Sequence, residues 1–267
     1  MGLSERGGPK PEIVMCPDSQ TLVEKAVGRL IEVASRAIAA RDRFAIALSG
    51  GTTPKPIYES LARFPIRRKV DWDQVEVFWS DERCVPPDDE RSNYRMSREA
   101  LLDRVGVPEK RVHRIRAEDP NPDRVAAEYE RTLRWALGNP AGRPPRIDLV
   151  LLGLGAEGHT ASLFPGSAAL DSERLVFAVR HAGDPPPRVD RITLTPKAIN
   201  AAREVVFLAA GEEKAEAVRA TLEGPRDPTR WPVQAITPVE GHVTWIVDQA
   251  AASKLTTLGG TSSEATR

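Results

Sequence analysis

His159, placed directly after a glycine-rich turn, is the residue of this chain best suited to chemistry. It lies in the segment 147–167, IDLVLLGLGAEGHTASLFPGS, where an apolar run leads into glycines. Imidazole ordinarily titrates near neutrality, so it can take a proton from water and return it within one reaction cycle. A structural histidine is the alternative, but the neighbouring glycine, threonine and serine are unlike an apolar helix face. We therefore expect His159 to be a catalytic base and acid.

A second segment, Ser49-Gly50-Gly51-Thr52-Thr53-Pro54, joins a predicted strand to a predicted helix. Glycines let backbone N–H groups approach an anion, threonine hydroxyls add donors, and a helix N-terminus favours negative charge. The pattern fits a phosphate site and a tight turn without a ligand equally well. No G-x-x-x-x-G-K-[ST] motif occurs, so a nucleoside-triphosphate loop is not indicated.

Two weak motif matches point to other chemistry. Ala47-Leu48-Ser49-Gly50-Gly51 resembles the nucleophile elbow G-x-S-x-G, with Ala for the first Gly, which makes Ser49 a candidate nucleophile. Residues 153–158 form a literal G-x-G-x-x-G, and Glu173 follows twenty residues after Gly153, as in dinucleotide-binding proteins. The third glycine leads to His159 and Thr160 rather than into a helix, so NAD binding is disfavoured.

Charged residues follow another predicted strand at Ser80-Asp81-Glu82-Arg83, and Arg191 and Lys197 flank the segment ITLTP. A solvated turn would also explain the first group. Since loops at the carboxyl ends of parallel strands share one edge of a sheet, we expect three of them to meet there. These are residues 49–54, 80–86 and 153–160.

The elements that must position these groups alternate between strands and helices. Apolar runs predict strands at 12–15, 44–48, 75–79, 147–152, 174–179, 191–195, 205–209 and 243–247. Helical periodicity and caps predict helices at 21–40, 54–62, 121–137 and 212–222, and one that starts at Ser92-Asn93. This order predicts an α/β fold, a three-layer α/β/α sandwich with a mostly parallel, Rossmann-like sheet. We expect one domain over 1–267, with flexible tails at 1–11 and 253–267.

Composition narrows the class of function. Lys+Arg and Asp+Glu are both 38, so the net charge is zero, which argues against nucleic-acid or membrane-surface binding. Two cysteines, Cys16 and Cys84, are too few for a disulfide framework, and no apolar run approaches the roughly 18 residues of a membrane span. We predict a cytoplasmic protein, a monomer or weak homodimer. No zinc-ligand spacing occurs, so no metal site is expected.

Taken together, the segments resemble the 6-phosphogluconolactonase family of the pentose phosphate pathway, in the superfamily that includes glucosamine-6-phosphate deaminase. The family usually has Asp before Gly-His, where this chain has Glu157. The deaminases continue Gly-His with Ile-Ala-Phe-Asn-Glu-Pro, whereas this chain continues with Thr-Ala-Ser-Leu-Phe-Pro, which favours the lactonases. The matching pieces, in the family's order, are ALSGGTTP (47–54), SDERCVPPDDERSNYRM (80–96), GLGAEGHTASLFPG (153–166) and RITLTPKAIN (191–200).

The resemblance implies hydrolysis of 6-phospho-D-glucono-1,5-lactone to 6-phosphogluconate without a metal or cofactor. His159 would activate water and then protonate the departing ring oxygen. Asp81 would position the water, a sugar hydroxyl or the histidine. The phosphate would be held by a set of backbone groups and cations: Gly50, Gly51 and Thr52, helped by Arg83, Arg191 or Lys197. The alternatives are an amino-sugar-phosphate deaminase/isomerase and a non-catalytic protein that binds sugar phosphates.

Overall fold

The computed structural model of the chain describes residues 10–138, 142–180 and 187–256. The described residues form nine strands. They are β1 (Glu12–Cys16), β2 (Phe44–Leu48), β3 (Val75–Trp79), β4 (Asp81–Arg83), β5 (Leu149–Gly153), β6 (Val176–Val179), β7 (Arg191–Leu194), β8 (Glu204–Ala209) and β9 (His242–Asp248).

Six of these strands form a central sheet in the order β1-β9-β8-β5-β2-β3, and every neighbouring pair is parallel. A parallel sheet is covered on both faces, so its strands are mostly apolar rather than alternating. All five residues of β2, FAIAL, and all six of β8, EVVFLA, are buried accordingly. The predicted fold class, a three-layer α/β/α sandwich with a mostly parallel sheet, is confirmed.

Helices connect the strands, and several of them begin at a residue whose side chain caps them. Asp18, Ser92 and Asn121 each accept a hydrogen bond from a backbone N–H in the first turn of the following helix. The short helix that Ser92 caps continues through a π-helical turn, Arg98–Leu102. The helices are α1 (Ser19–Arg41), α2 (Pro54–Leu61), α3 (Asn93–Ser97), α4 (Asp103–Val105), α5 (Pro122–Leu137), α6 (Pro196–Ile199) and α7 (Ala215–Leu222).

A second, antiparallel sheet of three strands has the order β4-β7-β6. The segment 80–86, predicted as a loop, therefore contains a strand, in which Asp81 pairs with Thr193 and Arg83 with Arg191. Its sequence, DER, has no apolar residue, so apolar runs give no sign of it. The strands predicted at 174–179 and 191–195 exist but belong to this sheet, and its strand β7 begins with Arg191.

Parts of both predicted tails, residues 1–9 and 257–267, lie outside the described residues. Within the described ranges, no helix has the length and apolar character that crossing a bilayer requires.

Candidate active site

A cleft of about 980 Å³ lies at the carboxyl ends of the parallel strands. The loops after β2, β5 and β8 contribute to it, together with β4 and the first residue of β7. The structure thus brings together the three strand-end segments that the sequence analysis expected to meet. Of the residues singled out there, those that line the cleft are Ser49, Gly50, Gly51, Thr52, Asp81, Arg83, His159 and Arg191.

His159 is paired with a carboxylate. Its Nδ1 lies 2.6 Å from Glu157 Oε1, and its side chain is 24% exposed, so water reaches the ring. With the Nδ1 proton donated to the carboxylate, Nε2 carries the lone pair of a general base. Burial raises the pKa of Glu157, but the hydrogen bond and charge of His159 and the charge of Lys214 outweigh it, so the pKa falls below its ordinary value. Glu157 is one methylene longer than the Asp that is usual in the family, and the 2.6 Å contact shows that its carboxylate reaches the histidine.

Two glycines of the loop after β5 are in close approach to other side chains, and Gly155 leaves room for this pair. A Cβ added at Gly155 would lie 2.0 Å from His159 Nδ1. Gly158 has φ +86°, and a Cβ there would lie 2.5 Å from Trp231 Cε3. The loop is closed by a hydrogen bond of 2.8 Å from the Gly155 N–H to the His159 carbonyl. Of the three glycines in the G-x-G-x-x-G pattern, Gly155 is thus required by the position of His159, and Gly158 by Trp231 and by its own backbone conformation.

Asp81 is held from two sides. Ser162 Oγ donates to Asp81 Oδ2 at 2.6 Å, and the Asn93 side-chain amide donates to Asp81 Oδ1 at 3.1 Å and to its carbonyl at 2.9 Å. Ser162 comes from the histidine loop, and Asn93 begins α3. The sequence analysis did not single out either residue. Both lie in segments that match the family, 80–96 and 153–166, and that match was the available signal for them.

The backbone conformation of the segment 49–54 is constrained by close contacts with Asn93 and Tyr58. A Cβ at Gly50 would lie 1.7 Å from Asn93 Oδ1, and Gly51 has φ +104°. Buried Tyr58 fixes the start of the segment, because its hydroxyl donates to the Ser49 carbonyl at 2.9 Å and accepts from the Ser49 N–H at 3.0 Å. Thr53, the N-cap of α2, makes no side-chain capping bond, and because Pro54 and Pro56 have no N–H, Lys55 is the one residue of 54–56 with a backbone donor for an anion.

Ser49 is not arranged as a nucleophile. Its Oγ is buried and has no hydrogen-bond partner among the described residues. A serine nucleophile needs a general base within hydrogen-bond reach, and no described side chain, His159 included, lies within hydrogen-bond distance of Ser49 Oγ. The hydroxyl is therefore available to donate a hydrogen bond.

Arg83 and Arg191 lie directly opposite each other in the β4–β7 pair, and both line the cleft. Like charges at directly opposed positions repel, so an anion between them would be stabilising. Arg191 is anchored by bonds to the carbonyls of Val189 (3.2 Å) and Pro187 (2.9 Å). Burial lowers the pKa of Arg191, although Asp81 nearby opposes that effect.

Lys197 and Lys214 differ in their position relative to the cleft. Lys197, predicted to bind substrate, forms an ion pair of 2.7 Å with Glu173 and is not among the described residues that line the cleft. Lys214 does line it, at the end of the turn Glu212–Lys214 after β8. The sequence analysis missed Lys214. The available signal was its position after a parallel strand, at the same edge of the sheet as His159.

The Cys84 thiol is not activated, and the described part of the chain contains no cluster of metal-ligating side chains. Burial raises the pKa of Cys84 to about 12, helped by the charge of Asp190, so the thiol is not activated. Among residues 10–138, 142–180 and 187–256, no group of three or more His, Cys, Asp and Glu side chains is placed to hold a metal ion.

The parallel sheet and the cleft at its carboxyl edge, which His159 lines, define an α/β enzyme with a site for a small molecule. Residues 17–245 match a family model described as "Glucosamine-6-phosphate isomerases/6-phosphogluconolactonase", and the chain belongs to that family. It is 39% identical over 247 residues to a 6-phosphogluconolactonase of Nostoc sp., covering 92% of this chain and 99% of that protein.

Two further relatives show the same likeness. A 6-phosphogluconolactonase of Synechocystis sp. is 41% identical over 246 residues, covering 92% of this chain and 98% of that protein. The solved structure of a 6-phosphogluconolactonase from Trypanosoma cruzi superposes with a TM-score of 0.83 at 32% identity. It covers 93% of this chain and 98% of that one.

Proposed function

We propose that this chain hydrolyses 6-phospho-D-glucono-1,5-lactone to 6-phosphogluconate, a step of the pentose phosphate pathway. The observation that carries the proposal is the 2.6 Å contact between His159 Nδ1 and Glu157 Oε1, in the same cleft as the glycine-rich segment 49–54. The names of the relatives support this choice of substrate. We place the reaction in the cytoplasm and expect a monomer or weak homodimer.

His159 Nε2 takes a proton from water as the water oxygen attacks the lactone carbonyl. A δ-lactone is an activated ester, so attack needs a base and a stabilised oxyanion but no covalent nucleophile. The bond between the carbonyl carbon and the ring oxygen then breaks, and the proton on Nε2 passes to that oxygen, which becomes a hydroxyl. Glu157 holds the imidazole ring of His159 in position and stabilises the imidazolium that forms between the two steps.

The phosphate end of the substrate lies against the glycine-rich segment. Backbone N–H groups of Gly50, Gly51 and Thr52 and the start of α2 supply donors and a favourable dipole. Arg83 and Arg191 supply positive charge on the neighbouring strands. Asp81, fixed between Ser162 and Asn93, is an acceptor for a sugar hydroxyl or the attacking water.

The decisive experiment generates the lactone enzymatically and compares its loss with spontaneous hydrolysis. The wild-type chain should accelerate this loss, and His159→Ala should reduce kcat by roughly 10²- to 10⁴-fold, the usual contribution of a general base. The same variant should bind 6-phosphogluconate normally. His242→Ala is the matched control, because His242 is exposed at the start of β9. Near-normal kcat in His159→Ala would reject the assignment of the base.

The amino-sugar reaction is tested in parallel, because the family description also includes glucosamine-6-phosphate isomerases. Release of ammonia from glucosamine 6-phosphate, without lactone hydrolysis, would favour the deaminase alternative. Binding of 6-phosphogluconate without either reaction would favour a non-catalytic sugar-phosphate-binding protein.

A further inference from the structure

Glu82 is buried beneath the cleft, and no step of the proposed reaction uses it. It is 3% exposed and follows Asp81 directly in β4. Successive residues of a strand point to opposite faces, so Glu82 turns away while Asp81 lines the cleft. Burying a carboxylate costs free energy unless its hydrogen bonds are satisfied, so the contacts of Glu82 need an explanation.

Both carboxylate oxygens of Glu82 are fully engaged. Oε1 accepts from the backbone N–H groups of Arg83 (2.8 Å) and Asn93 (2.7 Å). Oε2 accepts from the Tyr94 N–H (2.7 Å) and the Ser92 hydroxyl (3.1 Å). The Asn93 and Tyr94 donors belong to the first turn of α3, where a helix has no internal acceptor for them. Glu82 therefore ties the start of α3 to β4.

The helix already has an ordinary cap without Glu82. Ser92 Oγ accepts from the Arg95 N–H at 3.1 Å, which is the usual role of an N-cap serine. A buried carboxylate is not required merely to begin a short helix. The bonds of Glu82 instead fix where Asn93 lies relative to β4.

Asn93 connects two parts of the site. Its side-chain amide donates to the Asp81 carbonyl at 2.9 Å and to Asp81 Oδ1 at 3.1 Å. Its Oδ1 packs so closely on Gly50 that an added Cβ would lie 1.7 Å away. The position of Asn93 therefore sets both the orientation of the Asp81 carboxylate and its separation from the segment 49–54.

We infer that Glu82 is a positioning residue of this active site, acting through Asn93 on Asp81 and on the phosphate-binding segment. The inference rests on the proposed function, because it requires that Asp81 faces the substrate. Glu82 itself does not touch the substrate.

The test is a double-mutant cycle on the lactonase reaction. Glu82→Gln leaves one acceptor oxygen and places an amide against backbone donors, whereas Asn93→Ala removes the link to Asp81 and keeps the backbone N–H. Each should lower kcat by roughly 10- to 100-fold, the usual effect of a misplacement near 1 Å. The double variant should lose no more than the more damaging single one, because both act through one link.

Glu204→Gln is the matched control. Glu204 is also 3% exposed, but it lies at the amino end of β8, the end opposite the cleft, where it binds Arg29 and Arg36. This variant should lose stability and keep its kcat at temperatures where it remains folded. A fall in kcat equal to that of Glu82→Gln would mean that loss of stability alone explains the effect, and would overturn the inference.

Other outcomes separate this inference from the proposed function. Wild-type kcat in Glu82→Gln, or losses that multiply in the double variant, would overturn the inference while His159→Ala still reports on the function. Wild-type kcat in Asp81→Asn would remove the role of Asp81 and the inference with it. If Glu82→Gln does not fold, wild-type kcat in Asn93→Ala overturns the inference, and a loss supports it.

Discussion

Ser162 Oγ donates a hydrogen bond of 2.6 Å to Asp81 Oδ2, which joins the histidine loop to the short strand β4. Both residues are buried. The Ser162 N–H is itself held by Thr193 Oγ1 at 3.2 Å on the neighbouring strand β7. The loop that carries His159 and the strand that carries Asp81 are thus fixed relative to each other by a hydroxyl–carboxylate contact.

Ser162→Ala should lower kcat by roughly tenfold, because a hydrogen bond to a charged group contributes about 1.5–3 kcal/mol. The Asp81 carboxylate would lose one of its two side-chain donors and rotate more freely. The measurement is kcat and KM for the lactone. Ser167→Ala is the control, since Ser167 caps only the turn Ala168–Asp171. Equal effects in the two serine variants would contradict the prediction.

Replacing Glu157 tests the histidine–carboxylate pair. Glu157→Gln keeps an acceptor oxygen but removes the charge that stabilises the imidazolium, so kcat should fall by roughly 10²-fold. Glu157→Asp keeps the charge and should retain more activity than Glu157→Gln. A kcat that is highest in the wild type, lower in Glu157→Asp and lowest in Glu157→Gln would agree with this role. Full activity in Glu157→Gln would show that the 2.6 Å contact does not contribute to the reaction.

Gly155→Ala should abolish activity while the chain still folds. The added Cβ would lie 2.0 Å from His159 Nδ1 and 2.8 Å from Glu157 Oε2, so the pair must move apart. Gly28→Ala is the control, because no atom lies within 4 Å of a Cβ at that position in α1. That change should raise the free energy of unfolding by about 1 kcal/mol. Near-normal kcat in Gly155→Ala, measured with circular dichroism to verify folding, would refute the argument.

Local sequence signals were sufficient for the main sheet. Apolar runs located strands such as β2 and β3 to the residue, because buried parallel strands consist almost entirely of apolar side chains. They missed β4, whose residues are all charged and whose partner β7 is 108 positions away along the chain, from Arg83 to Arg191. Pairing of that kind depends on tertiary contacts that no local pattern contains.

The site divides in the same way. The position of His159, Asp81 and the glycines of segment 49–54 in one cleft was predictable, because each follows a strand of the sheet. Asn93 and Ser162 were not singled out, since each acts through a hydrogen bond to a residue distant in sequence. Lys197 carries the right charge but is paired with Glu173, and a charge count cannot tell such a lysine from one that faces the cleft.

Lys214 and Lys197 provide a matched pair of substitutions. Lys214→Ala should raise KM for the phosphorylated lactone by roughly tenfold and weaken 6-phosphogluconate binding, because it removes a cation from the cleft. Lys197→Ala breaks an exposed ion pair with Glu173 and should change KM little. Steady-state kinetics at fixed ionic strength distinguish the two. A larger rise in KM for Lys197→Ala than for Lys214→Ala would contradict the prediction and indicate that Lys197 binds the substrate.

Glu82 should make stability depend on pH in a direction unusual for a carboxylate. Burial raises its pKa from 4.5 to about 7, although backbone N–H groups of Asn93, Tyr94 and Arg83 favour the ionised form. Between these values the folded chain keeps a proton that the unfolded chain has released, so stability falls as pH rises through that window. Relative to Glu82→Gln, the wild type should lose on the order of 3 kcal/mol of unfolding free energy across it, measured by urea titration. Exposed Glu99, whose pKa is lowered by Arg95, gives the control Glu99→Gln, which should keep the wild-type slope in that window. Parallel curves for wild type and Glu82→Gln would show that Glu82 does not titrate there.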